Sequence, residues 1–188
     1  MKKISCLALA VMLSAVLHAH AQDNELAAAK EAIKKRDYAT AVKLLQPLIE
    51  KEDPKAMAAM GRMRLAGQGV VKDEGAALEL FKKGADLGDP ESIYLLARQT
   101  HLGNGLPRDD QKAVALYKKA ADMAYPDARL WYGLSLYRGI GGLTQDKAAA
   151  VPWVRSAAEQ GHSLAQAWLG DFYRDGEVVE KDLYQAVS

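Results

Sequence analysis

The stretch from Pro90 to Tyr125, PESIYLLARQTHLGNGLPRDDQKAVALYKKAADMAY, decides the fold of this chain. It is one copy of a unit that the sequence repeats. The preceding copy, from Pro54 to Asp89, reads PKAMAAMGRMRLAGQGVVKDEGAALELFKKGADLGD, and the following copy begins at Pro126 with PDARLWYGLSLYRGIGG. The three prolines recur at a spacing of 36 residues. Because a fixed period of roughly 20–50 residues is typical of repeat architectures, the sequence predicts a stack of similar units.

Each copy carries boundary signals for two helices. The first helix is predicted to begin at Pro or Ser and to end at a glycine, which readily adopts the left-handed conformation past a helix end. The second helix is predicted to begin at an aspartate, whose carboxylate can accept hydrogen bonds from the free backbone N–H groups. The starts are Pro54, Pro90, Pro126 and Ser163, the glycines are Gly67, Gly103, Gly139 and Gly176, and the aspartates are Asp73, Asp109, Asp146 and Asp182.

A small residue occupies one equivalent position in every first helix: Gly61, Ala97, Gly133 or Gly170. We expect another helix backbone to pass close to this position. Large apolar residues flank it, and a single helix pair cannot bury such a face, so neighbouring pairs must cover one another. The sequence therefore predicts an all-α fold, an α/α superhelical solenoid of antiparallel helix pairs. The third copy has one extra residue between Gly141 and Asp146, which we place in a loop.

The first 21 residues have the layout of a secretory signal peptide. Lys2 and Lys3 precede an uncharged apolar run, and small residues follow it. The run is short for a membrane span, so we predict cleavage after Ala21 rather than the alternative, an uncleaved anchor. The chain has one cysteine, Cys6, which lies inside this segment, so we expect the mature chain to lack disulfides and cysteine metal sites.

The rest of the chain divides into a hairpin and the repeats. Residues 22–53 are predicted to form a degenerate helical hairpin that caps the N-terminal end of the array. The repeats are predicted at residues 54–89, 90–125 and 126–162, with an incomplete one at 163–188. Either the chain is a fragment of a longer protein or its last helix is frayed.

The repeated residues resemble the Sel-one-like repeat, a relative of the tetratricopeptide repeat with a longer loop. The clearest matches are GQGV at residues 67–70, LGDFY at 169–173 and WVRSAAEQGH at 153–162. The resemblance covers residues 37–188, although Arg64 and Thr100 stand where the family usually has Tyr. It implies a right-handed superhelix of helix pairs and a role as an adaptor between proteins.

No recognisable catalytic or cofactor motif accompanies this pattern. The loop Gly67-Gln68-Gly69 and its counterparts lack the Lys-Ser/Thr that follows a phosphate loop. His101 and His162 have no second ligand at metal-binding spacing, and no Ser/His/Asp set stands at a motif spacing. The formal net charge of +1 does not suggest a nucleic-acid partner. We therefore predict no enzymatic activity, no cofactor and no metal.

The remaining candidate is a concave surface formed by the first helices. Groove positions carried over from the tetratricopeptide fold are rich in Arg and Tyr, the composition of protein-recognition hot spots. They are Arg62, Leu65, Tyr94, Arg98, His101, Leu130, Leu134, Tyr137, Arg138, Asp171 and Arg174. The prediction is a non-catalytic scaffold or regulator that binds another protein or peptide, periplasmic or secreted, without stable membrane insertion.

Two alternatives remain open at this point. One is an envelope enzyme or β-lactam-binding protein, because some cysteine-rich members of the family are linked to penicillin binding or β-lactamase activity. This chain lacks their cysteine pairs and shows no Ser-x-x-Lys element. The other is a secreted effector that engages a host protein with the same fold. The partner and the oligomeric state do not follow from the sequence.

Overall fold

The structure, a computed structural model, describes residues 23–175, and these residues form nine α-helices and no β-strand. The first helix, α1, spans residues 23–34. The others are α2 (Tyr38–Glu50), α3 (Pro54–Ala66), α4 (Glu74–Asp86), α5 (Pro90–Leu102), α6 (Asp110–Asp122), α7 (Pro126–Arg138), α8 (Lys147–Glu159) and α9 (Ser163–Asp175), each 13 residues long. The predicted all-α solenoid of helix pairs is confirmed.

The helix boundaries follow the predicted signals. Pro54, Pro90 and Pro126 begin α3, α5 and α7, and each of these helices ends at a glycine with a φ between 66° and 74°. The second helices begin after aspartates whose carboxylates accept a backbone N–H, as Asp73 does from Ala76 at 2.8 Å. Asp109 and Asp146 do the same at 2.9 Å and 2.8 Å. Gly176, Asp182 and the predicted signal peptide lie outside the described residues.

Each helix packs against the next one along the chain, and α3 also contacts α5. The core consists of clusters built largely from alanine, with a few large side chains such as Phe81, Leu45 and Leu130 fully buried among them. Because alanine side chains are short, the helix axes approach closely and the facing surfaces interdigitate at high density. Residues of α1 and α2 share one cluster with Met60 and Met63 of α3, so the N-terminal hairpin is continuous with the repeats.

The small residue of the first helices faces different neighbours in different repeats. At Gly133, a Cβ atom would lie 3.2 Å from the backbone oxygen of Ala150 and 2.9 Å from a methyl group of Val154. This agrees with the expected close approach of a helix. At Gly61 the expectation is wrong, because a Cβ atom there would collide with the ring of Phe81 rather than with a helix backbone. The space left by this glycine is filled by an aromatic side chain from α4.

The long loops connect the two helices of one repeat and contact the preceding helix pair. The second glycine of each loop lies against the start of the preceding second helix: Gly69 against Tyr38, Gly105 against Glu74 and Gly141 against Asp110. A Cβ atom at Gly141 would lie 2.5 Å from the backbone oxygen of Asp110, so this approach requires glycine. The extra residue of the third repeat lies in the loop between α7 and α8, as predicted.

In each short turn between repeats, the residue two positions before the next helix adopts the left-handed backbone conformation. Gly88 and Gly161 occupy this position with φ of 83° and 82°, whereas Glu52 and Ala124 adopt it with φ of 59° and 66°. The residue after it is the N-cap of the helix that begins the next repeat. It is therefore held at the edge of the surface that the first helices form.

Candidate binding groove

The concave side of α3 and α5, together with the start of α7, holds a cavity of ≈ 460 Å³. Its walls combine apolar side chains, two guanidinium groups, two phenol rings and one carboxylate. The lining residues are Arg62, Leu65, Ala66, Tyr94, Leu95, Arg98, Tyr125 and Asp127. Four of the residues predicted for the groove (Arg62, Leu65, Tyr94 and Arg98) thus line one cavity.

Two further cavities extend this space toward α1. One of ≈ 400 Å³ is lined by residues that include Lys30, Lys34 and Arg62. The other, of ≈ 380 Å³, includes Lys30 and Lys55. All three cavities share Tyr125. They therefore adjoin one another at Tyr125, and we call the three together the groove, which includes residues of α1, α3, α5 and the start of α7.

The charged groups in the groove are not equally available. Arg62 donates to the carboxylate of Glu91 at 3.0 Å, so these two charges largely neutralise each other. Arg98 is exposed, and no hydrogen bond or ion pair to it is formed within residues 23–175. Lys30 is likewise exposed and unpaired in the described part of the chain. Arg98 and Lys30 are therefore two cations of the groove that can meet an anionic ligand, and the exposed Lys55, which forms no ion pair within residues 23–175, is a third.

The carboxylate of Asp127 lines the main cavity and faces His162. The Nδ1 atom of His162 accepts the Ala165 N–H at 3.2 Å, which places a neutral ring's proton on Nε2. That Nε2 atom lies 3.4 Å from Asp127. The carboxylate is therefore engaged by a donor from the last residue of the same repeat. His162 acts locally as the cap of α9.

Aromatic rings line the floor and one wall of the groove. The rings of Tyr94 and Tyr125 lie 5.4 Å apart between centroids, and Tyr117 lies 6.0 Å from Tyr94 on the inner side. Trp131 stacks on Tyr117 at 6.2 Å. Burial raises the pKa of Tyr94, Tyr117 and Tyr125, and nearby carboxylates such as Asp127 raise the pKa of Tyr94 and Tyr125 further. These phenols are neutral donors at ordinary pH.

His101, another predicted groove residue, contacts the first residue of α6, beyond the loop that follows its own helix. Its Nδ1 atom lies 2.7 Å from an oxygen of Asp110, whose carboxylate also accepts three hydrogen bonds from Arg108. The guanidinium of Arg108, more than the contact with His101, lowers the pKa of Asp110. His101 is thus half-buried in a charge network and does not line the cavities of the groove.

Two predicted groove residues are in the wrong place. Leu134 is 3% exposed and Leu130 is 0% exposed, and both lie in the core cluster of α7, α8 and α9. Their helix is rotated so that this apolar stripe faces α8. The expectation that Leu130 and Leu134 line the groove is therefore corrected.

The remaining predicted residues form a separate group near α9. Tyr137 stacks on Phe172 at 5.3 Å and contacts Trp168, while the guanidinium of Arg138 lies 5.6 Å from the centre of the Trp168 ring. Asp171 pairs with Arg174 at 2.6 Å. These side chains lie outside the three cavities around Tyr125.

Sequence reasoning missed the residue that all three cavities share. Tyr125 precedes α7 at the position that carries Asp53, Asp89 and His162 in the other repeats, and its side chain makes no capping hydrogen bond. A large aromatic residue at a capping position was a visible signal. Lys30 was missed because α1 belongs to the degenerate hairpin, where no repeat register gives the groove face.

Other types of site are not seen in the described part of the chain. Within residues 23–175 no group of three or more His, Cys, Asp or Glu side chains is arranged to hold a metal ion. None of the described helices is long and apolar enough to cross a membrane.

The model of the Sel1 repeat family matches four segments, residues 54–89, 90–125, 126–162 and 163–188. The chain belongs to the Sel1 repeat family. Sel1 repeats usually mediate interactions between proteins, and their fold is typically a non-catalytic scaffold. No match is found among the curated proteins.

Solved structures of other proteins share the fold. The Sel1 repeat protein from Oxalobacter formigenes is 31% identical with a TM-score of 0.75, and the match covers 86% of this chain and 66% of that one. The protective antigen c5321 of uropathogenic Escherichia coli is 29% identical with a TM-score of 0.66, covering 80% and 32%. Immunity protein Pa5087 from Pseudomonas aeruginosa is 25% identical with a TM-score of 0.66, covering 88% and 62%. This chain thus spans 66% or less of the length of each of these structures.

Proposed function

We propose that this Sel1 repeat protein is a non-catalytic scaffold or regulator of the cell envelope, and that it binds an extended segment of another protein in the groove around Tyr125. The observation that carries this proposal is the groove itself. Cavities of ≈ 460, 400 and 380 Å³ meet at Tyr125, and they are open to solvent and lined by Arg, Lys and Tyr side chains. Tyr and Arg are among the residues that dominate binding energy at protein interfaces.

The charge of the groove favours an acidic segment. Arg98 and Lys30 are unpaired within the described residues, whereas Glu91 is neutralised by Arg62. An arginine without a partner can form two parallel hydrogen bonds with a carboxylate, which gives both energy and orientation. A partner segment that carries Asp or Glu would therefore be preferred over a basic one.

The envelope location rests on the N-terminal sequence. Residues 1–21 have a positive start, an apolar run and small residues before the predicted cleavage site. N-terminal sequencing of the protein recovered from periplasmic extract tests this part. We expect the mature chain to begin at Gln22, and a chain recovered only with its first residues intact would contradict cleavage.

Chemical cross-linking in cells, followed by purification and identification of the attached proteins, tests groove binding. We expect the double variant Lys30→Glu and Arg98→Glu to lose the cross-linked partner, because two free cations of the groove become anions. The matched control is Lys83→Glu with Lys119→Glu, which makes the same change of charge on exposed positions of α4 and α6. Equal recovery of the partner by both double variants would refute the groove as the binding surface.

A further inference from the structure

The turn before α7 departs from its counterparts at two successive positions. The equivalent turn before α5 reads Gly88-Asp89, whereas this one reads Ala124-Tyr125. Ala124 adopts a φ of 66°, which is unfavourable for a residue with a Cβ atom. Tyr125 adopts φ −74° and ψ 119°, almost the same as Asp89 at −76° and 120°, yet it makes no side-chain cap. This turn thus gives up a capping hydrogen bond and places a phenol ring in the groove.

The ring of Tyr125 completes one apolar wall of the main cavity, which we call the slot. It lies 5.4 Å from the ring of Tyr94, and Leu65 and Ala66 line the same cavity. A cavity of ≈ 460 Å³ admits a large side chain together with part of the adjoining backbone. Aromatic side chains gain most from such a slot, because offset and edge-to-face ring contacts add to the area that they bury.

Among the charged side chains that line this cavity, Arg98 is the one without a hydrogen bond or ion pair within residues 23–175. Arg62 is held by Glu91 at 3.0 Å, and Asp127 faces Nε2 of His162 at 3.4 Å. Arg98 has neither a hydrogen bond nor an ion pair within the described residues. A carboxylate entering the cavity would give Arg98 a hydrogen-bonding partner, whereas a cationic side chain would leave Arg98 without one.

We propose that the cavity formed by Leu65, Tyr94, Arg98 and Tyr125 is the anchor site of the groove, and that it takes an aromatic side chain whose neighbour in the partner sequence is Asp or Glu. The inference deepens the proposed function and rests on it. The aromatic ring packs against the contacting pair of rings, Tyr94 and Tyr125, from the cavity side, and the neighbouring carboxylate accepts hydrogen bonds from Arg98. Tyr125 is the residue that determines this specificity, and Lys30 contributes only to the general attraction of acidic segments.

Selection from a library of random dodecapeptides displayed on phage tests the anchor without requiring the natural partner. The full chain serves as bait, and the selected peptides are then synthesised with a fluorophore and titrated by fluorescence anisotropy. We expect the selected sequences to share an aromatic residue within two positions of Asp or Glu. Replacing that aromatic residue by Ala is expected to weaken binding about tenfold.

The protein variants are Tyr125→Ser and Arg98→Gln. Serine is a good N-cap, so Tyr125→Ser removes the ring while offering α7 a cap in its place. We expect Tyr125→Ser to abolish the difference between the aromatic peptide and its Ala version. We expect Arg98→Gln to abolish the difference between the acidic peptide and its Asn or Gln version. Lys83→Gln on α4 is the matched control and should change neither difference. Circular dichroism spectra of all the variants check that they are folded.

The outcomes separate the anchor from the groove. Peptides that lose binding in the Lys30→Glu and Arg98→Glu double variant but show no aromatic–acidic pair would overturn the anchor and leave the proposed function intact. Peptides whose binding is unchanged in all groove variants, or a library that yields no binder, would overturn both. Retention of the aromatic preference in Tyr125→Ser would also overturn the anchor.

Discussion

The junction between α4 and α5 and the junction between α6 and α7 are built on the same backbone and carry different side chains. The first has Gly84, Gly88, Asp89 and Ser92, and the second has Ala120, Ala124, Tyr125 and Ala128. In the first junction the carboxylate of Asp89, only 6% exposed, accepts the Ser92 N–H at 2.7 Å. In the second junction no side chain caps α7.

The comparison shows that the turn geometry does not depend on the capping residue. The backbone angles of Asp89 and Tyr125 differ by about two degrees, although only one of them is bonded to its helix. The left-handed residue before each of them and the packing of the helices on either side hold the turn. The capping position is therefore free to vary, and in the third repeat it carries a residue that faces the groove.

The largest difference between the junctions concerns a pair of small residues, in which a larger side chain at one position is matched by a smaller one at the other. A Cβ atom at Gly84 would collide with the side chain of Ser92, whereas Ala120 faces Ala128 in the next junction. We expect Gly84→Ala to lower the free energy of unfolding by about 1–3 kcal/mol through overpacking. The double variant Gly84→Ala with Ser92→Ala copies the second junction and should recover part of this loss, because it removes the hydroxyl of Ser92 and keeps its Cβ atom, 2.8 Å from a Cβ at position 84. Urea denaturation of the three variants measures the effect. An equal loss in the single and double variants would mean that the pair is not compensated.

The caps give the next largest effect. Removing a capping carboxylate typically costs about 0.5–2 kcal/mol, so we expect Asp89→Ala to destabilise the chain by this amount. At the second junction, Tyr125→Ser should be more stable than Tyr125→Ala by a similar amount, since both lose the ring and only one can cap α7. Thermal unfolding followed by circular dichroism compares the pairs. If Tyr125→Ser and Tyr125→Ala unfold together, the turn before α7 cannot use a cap, and the two junctions differ in more than side chains.

The two junctions should respond differently to alkaline pH, because the second has a buried phenol where the first has a phenylalanine. Position 81 is Phe in the first junction, and its counterpart in the second is Tyr117, whose pKa is raised by burial. A pKa that is raised in the folded state gives stability below the ordinary tyrosine pKa of about 10, and this stability is lost as the pH rises above it. Each pH unit above that value should cost up to about 1.4 kcal/mol for each such tyrosine. We expect Tyr117→Phe to flatten the loss of stability between pH values of about 9 and 11, and an unchanged slope would contradict burial of this phenol.

The left-handed residues give the smallest effect. A Cβ atom at Gly88 would meet no heavy atom within 4 Å, so Gly88→Ala tests backbone strain alone. We expect a loss of about 1 kcal/mol, since the left-handed conformation is unfavourable for alanine. Ala124→Gly should have the opposite sign and a gain of about 0.5 kcal/mol, because the greater freedom of unfolded glycine offsets part of the relief. Differential scanning calorimetry of the two variants would show shifts in Tm of opposite direction, and shifts of the same sign would mean that the two turns are not equivalent.

Most of the fold could be predicted from the sequence, because local signals determine it. Proline starts, glycine ends and aspartate caps each act on one helix terminus, and their recurrence fixes the register of the repeats. The filling of Gly61 by Phe81 could not be predicted, since it depends on the rotamer and direction of a side chain from another helix.

The candidate site was only partly predictable for the same reason. Groove positions on α3 and α5 followed from the register, so Arg62, Leu65, Tyr94 and Arg98 line one cavity. The rotation of α7 buries Leu134 against α8, and the sequence pattern of that helix gives a weak apolar stripe. The contact between His101 and Asp110 joins residues across a loop, which no helical pattern describes. Tyr125 could have been found by asking which repeat lacks a capping residue.

The long loops have a consequence for engineering. The loop between α7 and α8 holds one more residue than its counterparts, and it does so after Gly141, the residue that contacts the preceding repeat. Extra length beyond this contact is absorbed without displacing the helices on either side. The segment from Gly142 to Gln145 is therefore a suitable place to insert a reporter peptide or an immobilisation tag, since none of its residues lines the cavities around Tyr125.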